Sequence, residues 1–447
     1  MLDIRSTLAT ANIWCRFTGR DRAILLSVLS SAGTKGVGLF AQIVTYPVAV
    51  HALGASNFAS FIMLSSVLAW VNISSVGIGP ALTHRISQAM QAGEHRKEAV
   101  VFGTSMWIAL AIAIVLVGVG VTLIGSGWVH PETLLGITRA NGDDLVALFV
   151  ASALVALGVI TSVAEGARSG YLEQYITNGW NGVGACLSIA AMLVVAYWLP
   201  TLTGMCLAVF GTVALARMGN TLALIGRRPY LVPAPSHFRW RTAIELISSS
   251  AAFLIVQLNT LAVFEVPTLL VGWSVSAVAA APLNVLLRLE GLLATGLLMV
   301  TVPLWPAIID AQLKGEKEWI ERAARRLLIF TVLYSVTIGV LIAFFGQTLI
   351  RIWLGNDIRV TSGLQAWVGA LFPLWMTIHA LYTLLIGMRK IWWAATAVSV
   401  WSVLICVCGV LLVPHWDGVG MAVALCVGAI SCLPVMCVMA WRALKSV

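Results

Sequence analysis

Charge is scarce in this chain: 10% of its 447 residues are Asp, Glu, Lys or Arg, while 60% are hydrophobic. Soluble domains carry about 25% charged residues, and a soluble chain this apolar would aggregate, so a soluble domain is excluded. Also missing is a CxxC pair among the eight cysteines (15, 186, 206, 406, 408, 426, 432 and 437). That leaves neither a disulfide frame nor a metal site, and the cysteines read as small packing residues. No phosphate loop, zinc motif or catalytic triad occurs, so no cofactor is expected. Alternating segments of about ten residues, the mark of a membrane barrel, are absent too. The basic first 22 residues lack a small-residue cleavage site, and the N-terminus reads as retained.

What remains is a succession of long apolar runs. About 20 such residues carry an α-helix across roughly 30 Å of hydrocarbon, and twelve spans are expected: 23–50, 57–82, 99–124, 144–166, 178–199, 202–225, 244–271, 278–309, 327–346, 364–387, 391–412 and 419–441. The fold class is all-α and polytopic. Lys and Arg number 27 against 18 acids, a net charge of +9. They are spread over short loops rather than massed in one patch, which argues for topology signalling and against a nucleic-acid partner. Between the expected spans, 21 cations fall on one side, including Arg168, and three (Arg139, Arg351, Arg359) on the other. Both termini are therefore expected on the cytoplasmic side of a bacterial inner membrane.

A weak repeat divides the chain. A shift of 222 aligns Ala89, Gly93 and Glu94 with Ala311, Gly315 and Glu316; Pro80 and Pro303 precede them, and Pro47 matches Pro267 at a shift of 220. Six spans per repeat is an even number, so the repeats are parallel, as in transporters that rock two lobes around a central site. The expected lobes are 1–225 and 226–447, with 226–243 as a cytoplasmic linker.

Ionisable residues at bilayer depth are costly and mark function by default. Lys35 lies about 18 Å along the first span, Arg217 about two turns from the cytoplasmic end of the sixth, and Arg288 near the middle of the eighth. These three are the candidate contacts for an anionic headgroup. Alternatives are that Arg217 snorkels to the surface and that Arg288 pairs structurally with Glu265. Glu265, Glu290 and His379 are candidates for ion coupling. Asn259, Gln257 and Asn284 are candidates for sugar contacts, or for bonds to neighbouring helices. Glu165 and Arg168 read as a local surface pair. Trp128, Trp198, Trp353, Trp375 and Trp416 read as interfacial anchors.

Three segments carry a family resemblance: Tyr46-Pro47 with His51-Ala52-Leu53-Gly54 and Val76-Gly77-Ile78-Gly79-Pro80-Ala81-Leu82; Arg288-Leu289 with Pro303-Leu304-Trp305-Pro306-Ala307 and Gly315-Glu316; and Ile350-Arg351-Ile352-Trp353-Leu354-Gly355. The chain resembles the Wzx-type polysaccharide flippases of the MOP exporter superfamily. The resemblance implies a two-lobed, twelve-helix transporter, not an enzyme, that moves undecaprenyl-diphosphate-linked oligosaccharide outward by ion-coupled alternating access. It implies as partners that substrate, membrane lipids, a polysaccharide polymerase and a chain-length regulator. Two other readings stay open. One is a multidrug exporter of the MATE branch, against which the acid-free first helix counts. The other is a membrane polymerase or ligase, for which the expected outer loops (125–143 and 347–363) leave little room.

Overall fold

The computed structural model describes residues 19–445 except 70, 129, 138, 139 and 389. Arg5, Cys15, Arg16, Arg139 and Arg389, and the side chains of Pro80, Pro303, Trp305 and Pro306, lie outside the description. Every described regular element is helical, as a bilayer demands when each backbone N–H and C=O must be satisfied within its own segment.

In chain order these are α1 Gly19–Ala69, α2 Val71–Gln91, α3 His95–Gly125, the short α4 Pro131–Leu135, α5 Gly142–Gly170, α6 Gln174–Trp198, α7 Leu202–Cys206 and α8 Thr212–Arg227. After two 3-10 turns come α9 Trp240–Phe264, α10 Val266–Ser274, α11 Ala277–Leu313, α12 Lys317–Leu354, α13 Ser362–Gly387 and α14 Ile391–Lys445. Nine helices among the described residues are long and apolar enough to cross a membrane. The chain is a multi-pass, all-α membrane protein.

Two of the longest helices fold back on themselves. In α1 the backbone breaks at Gly54, φ 72°, which suits a residue without Cβ. The rings of Tyr46 and Phe58 then meet at 5.8 Å, where a straight helix would part their backbones by about 18 Å. α14 breaks at Asp417, φ 51°, after Pro414, so that Trp401 Nε1 donates to the Leu425 carbonyl at 3.3 Å. Both breaks fall between expected spans.

Helix starts follow local chemistry. Asn141 and Asp144 form a capping box that opens α5 (3.0 and 2.9 Å). The Asp143 carboxylate accepts from Leu202 N at 2.7 Å, holding a negative charge at the positive end of α7. Between α7 and α8 the chain widens into a π turn over Leu207–Gly211, a distortion common at functional sites.

The two aligned glycines close similar turns. Gly93 and Gly315 have φ of 69° and 71°. Glu94 N donates to Ala89 O at 3.0 Å, and Glu316 N donates to Ala311 O at 2.9 Å. Each is a helix stop of the Schellman kind, in which a left-handed glycine satisfies otherwise orphaned carbonyls. Gly315→Ala is expected to cost about 1 kcal/mol, measured as a lower unfolding temperature in detergent; Gly291→Ala, inside α11 with open space around its Cβ position, should not lower it.

Helices before residue 228 pack chiefly on one another, α1 on α6, α2 and α3 on α5, α6 on α8. Those after 240 do likewise, α12 on α13, α13 on α14, α9 on α14. The two groups meet where α1 lies on α10 and α11 and where α2 lies on α9. At the end opposite the basic loops a strap joins them. Ala277 N donates to the Gly136 carbonyl at 2.6 Å, and Trp273 Nε1 donates to Leu134 O at 3.3 Å. Gly136, φ 65°, is required there, because a Cβ would lie 2.6 Å from the Gly272 carbonyl oxygen.

At the basic end the reading of Arg168 needs correction. It is not a surface residue paired with Glu165 but a fully buried one, donating to Glu173 Oε2 at 2.9 Å and to the Asn220 carbonyl at 3.2 Å. Glu173 also accepts from Arg228 at 2.7 Å, and the Arg228 guanidinium lies 3.9 Å over the Tyr171 ring. Nearby, Glu98 accepts from the hydroxyls of Tyr171 (2.6 Å) and Tyr230 (2.8 Å). Burial, reinforced by that carboxylate, holds both phenols above their ordinary range and keeps them as donors. The segment after α8 is thereby fastened to the first helix group. The tryptophans divide as well. Trp128, Trp198 and Trp416 are exposed. Trp353, half-buried at the end of α12, stacks on Tyr46, while Trp375, expected as an interfacial anchor, sits mid-way along α13 and packs against Phe264 and Phe372.

Candidate functional site: a charged cavity between the helix groups

A cavity of about 390 Å³ lies where α1 faces α5, α6, α8 and the second group. Gln42 and Tyr46 of α1, Phe61 beyond the kink, and Phe210 of the π turn give it an amphipathic wall, to which Arg217, Glu265 and Arg288 add charge. From Tyr46 a buried polar chain runs across the groups, behind the cavity lining. Tyr46 Oη donates to Asn284 Oδ1 at 3.1 Å, and Asn284 Nδ2 donates to Thr268 Oγ1 at 2.9 Å. The Tyr46 ring stacks on Trp353 at 5.5 Å, and Trp353 Nε1 donates to the Ile43 carbonyl at 2.8 Å. Tyr46-Pro47 and Ile350–Gly355, two of the segments that carry the family resemblance, thus meet beside the cavity.

The charges come in pairs. One Arg288 nitrogen donates to both Glu265 oxygens, at 3.0 and 3.1 Å. Arg217 sits 3.3 Å from Glu165 across α5 and α8, and both are about four-fifths buried. Arg217 therefore does not reach the surface: ten residues, about 15 Å of helix, separate it from Arg227. Lys35 is exposed and pairs with no acid among the described residues. It precedes Gln42 by seven residues and Tyr46 by eleven, two and three helical turns, which puts all three on one face of α1.

The other candidates scatter. Asn259 donates to Ser399 Oγ at 2.9 Å and joins α9 to α14, away from the cavity lining. Gln257 is half-buried on the same helix and does not line the cavity either. His379 bonds Thr301 at 3.2 Å within the second group. Glu290 is buried in α11, and its Oε1 has no hydrogen-bond partner among the described residues. No group of three metal-ligating side chains occurs among the described residues.

Tyr46, Thr268 and Glu165 were not singled out as site residues. Glu165 is visible in the sequence as an acid inside an apolar run, but an expected span that ends at 166 puts it near the surface. The Tyr46–Asn284 bond spans 238 residues and has no local signal.

No family model matches the chain. A Salmonella typhi protein named "Putative O-antigen transporter" is 22% identical over 303 residues, covering 66% of this chain and 66% of that protein, somewhat under two thirds of its length. Among solved structures, an inward-facing multidrug resistance MATE family transporter of the MOP superfamily matches at TM-score 0.76, with 13% identity, over 91% of this chain and 95% of that one. The same kind of transporter in an outward-facing conformation gives 0.62 and 14% identity, over 96% and 97%. A MOP superfamily transporter from Pyrococcus furiosus, described as having a binding pocket of reverse polarity that suggests a different function, gives 0.63 and 13%, over 96% and 97%. The chain has the fold of MOP superfamily transporters.

Proposed function

We propose that this chain translocates undecaprenyl-diphosphate-linked oligosaccharide across a bacterial inner membrane, for O-antigen or exopolysaccharide export. In this reading two six-helix lobes, 1–225 and 226–447, rock around the cavity by ion-coupled alternating access, with both termini cytoplasmic. Support comes chiefly from the charge pattern: Glu165 and Glu265 are each held by an arginine. That leaves Lys35 as uncompensated charge on the cavity-lining face of α1. A pyrophosphate headgroup is attracted by such a surplus, whereas a cationic drug would need a free carboxylate. Gln42 and Tyr46 supply amide and hydroxyl groups suited to sugar hydroxyls, whereas Asn284 is buried, lies outside the cavity lining and is spent on Tyr46 and Thr268. Glu290, buried and without a partner for Oε1, is the acid best placed to carry a coupling proton. A polymerase and a chain-length regulator are the expected partners.

A MATE-type drug exporter is the second reading, favoured by the fold likeness. Polymerase or ligase chemistry is disfavoured, because α12 and α13 are joined by residues 355–361 alone and 126–141 includes the strap.

Lys35→Glu is expected to cut surface polysaccharide by about tenfold or more, equivalent to losing ~1.4 kcal/mol of headgroup attraction, with lipid-linked oligosaccharide accumulating inside. Lys35→Arg should export normally. Unchanged export in Lys35→Glu at normal protein level would remove the cation argument, and drug resistance conferred by the wild-type chain without any polysaccharide phenotype would move the assignment to the exporter branch.

A further inference from the structure

A second concavity lies away from the cavity, at the basic end. Trp319, Arg322, Arg326, Leu327 and Phe330 of α12 recur at spacings of three, four and one, so they share one helix face. With Leu304 of α11 they line a groove of about 370 Å³. None of these residues lines the cavity.

The groove is graded from charged to apolar. Trp319 and the two arginines stand near the loop 314–316, and Phe330 lies eight residues beyond Arg322, about 12 Å deeper along the helix. The deep wall is fixed. Phe330 stacks on Tyr334 at 6.0 Å, and the Tyr334 hydroxyl donates to the Leu293 carbonyl of α11 at 2.6 Å. Arg322 Nε donates to the Glu318 carbonyl at 3.2 Å, which orients the guanidinium and leaves its two terminal nitrogens open. Neither arginine forms an ion pair with a described acid, and no acid lines the groove among the described residues.

In a membrane-spanning chain, a basic loop with an adjacent Trp marks the interface between headgroups and hydrocarbon. Two exposed guanidiniums there, one turn apart, match a phosphate that accepts paired N–H bonds. The apolar trough below them matches an acyl chain. We propose that this groove binds an anionic phospholipid of the surrounding leaflet, with its phosphate between Arg322 and Arg326 and a tail along Leu304, Leu327 and Phe330. Such a lipid braces the α11–α12 hairpin, and the site stands independently of the transported substrate.

The test uses the purified full chain in nanodiscs or mild detergent, with native mass spectrometry counting retained lipid. Phosphatidylglycerol is compared with phosphatidylcholine of the same chains. The wild type should retain phosphatidylglycerol preferentially. R322Q/R326Q should bind it about tenfold more weakly, from two lost headgroup contacts. The single variants R326Q and R325Q remove equal charge one residue apart, and Arg325 does not line the groove; only R326Q should weaken binding. A monodisperse R326Q protein establishes that folding is intact. Equal retention of both lipids by the wild type would overturn the proposal, as would equal losses in R325Q and R326Q, which would show diffuse surface charge. Displacement of phosphatidylglycerol from wild type, but not from R322Q/R326Q, by stoichiometric undecaprenyl phosphate would also overturn it, in favour of a portal for polyprenyl lipid.

Discussion

Arg288→Ala is expected to destabilise the protein by about 1–3 kcal/mol, the cost of leaving a buried acceptor unsatisfied. That is less than for a fully buried ion pair, because the Arg288 side chain is 32% exposed. Glu265 is the stranded partner. Its side chain is 6% exposed, and Arg288 supplies both of its side-chain hydrogen bonds. Breaking a pair in this way costs more than removing it whole. R288Q/E265Q should therefore recover most of the lost stability, since two neutral amides can bond each other. Transport separates structure from function. If Arg288 also meets the substrate headgroup, the double variant stays folded yet exports poorly. Thermal unfolding in detergent reads the first effect and surface polysaccharide the second. A double variant that is both stable and fully active would reduce Arg288 to a structural counter-ion, the alternative reading of its position.

Gly369→Leu is expected to abolish folded protein. At this point α12 and α13 cross with their backbones in contact: a Cβ on Gly369 would sit 2.5 Å from the Gly339 carbonyl oxygen and 2.7 Å from Ala343 N. Main chain cannot give way as a side-chain tip can, so the helices must move apart. In a bilayer, helix pairs hold chiefly through such close packing rather than through a hydrophobic drive. Gly369→Ala alone is expected to cost about 2 kcal/mol of overpacking, while Leu exceeds what the crossing can absorb. Gly363→Ala, in the same helix but 3.8 Å from its nearest contact, Val419, should behave as wild type. Size-exclusion profiles and expression levels read the outcome. A monodisperse Gly369→Leu protein would show that the α12–α13 crossing does not limit stability.

Several parts of the site were legible beforehand for a shared reason: a charge inside an apolar run is visible without any knowledge of its neighbours. Arg217, Arg288 and Glu265 stood out in that way and meet at the cavity. Lys35 stood out too, and the helical period alone sets it on the same face as Gln42 and Tyr46. The partners were harder to see. Arg217 finds Glu165, and Arg168 finds the Asn220 carbonyl, because of how α5 turns against α8. Asn259, equally polar in sequence, faces α14.

By itself, then, the sequence determined that this is an all-α, multi-pass membrane protein, that α1 and α14 break between expected spans, and that Gly93 and Gly315 stand at equivalent turns. Those features follow from local physics: hydrocarbon thickness, backbone satisfaction and the freedom of glycine at positive φ. It did not show the break at Glu265 inside the expected span 244–271 or the π turn inside 202–225. Only the tertiary structure decided which cations are neutralised, that Tyr46 bridges to Asn284 and Trp353, and that residues 134–136 strap the two helix groups together. Helix rotation and crossing set these contacts, and they depend on packing between residues far apart in the chain, about which a hydrophobic run carries no record.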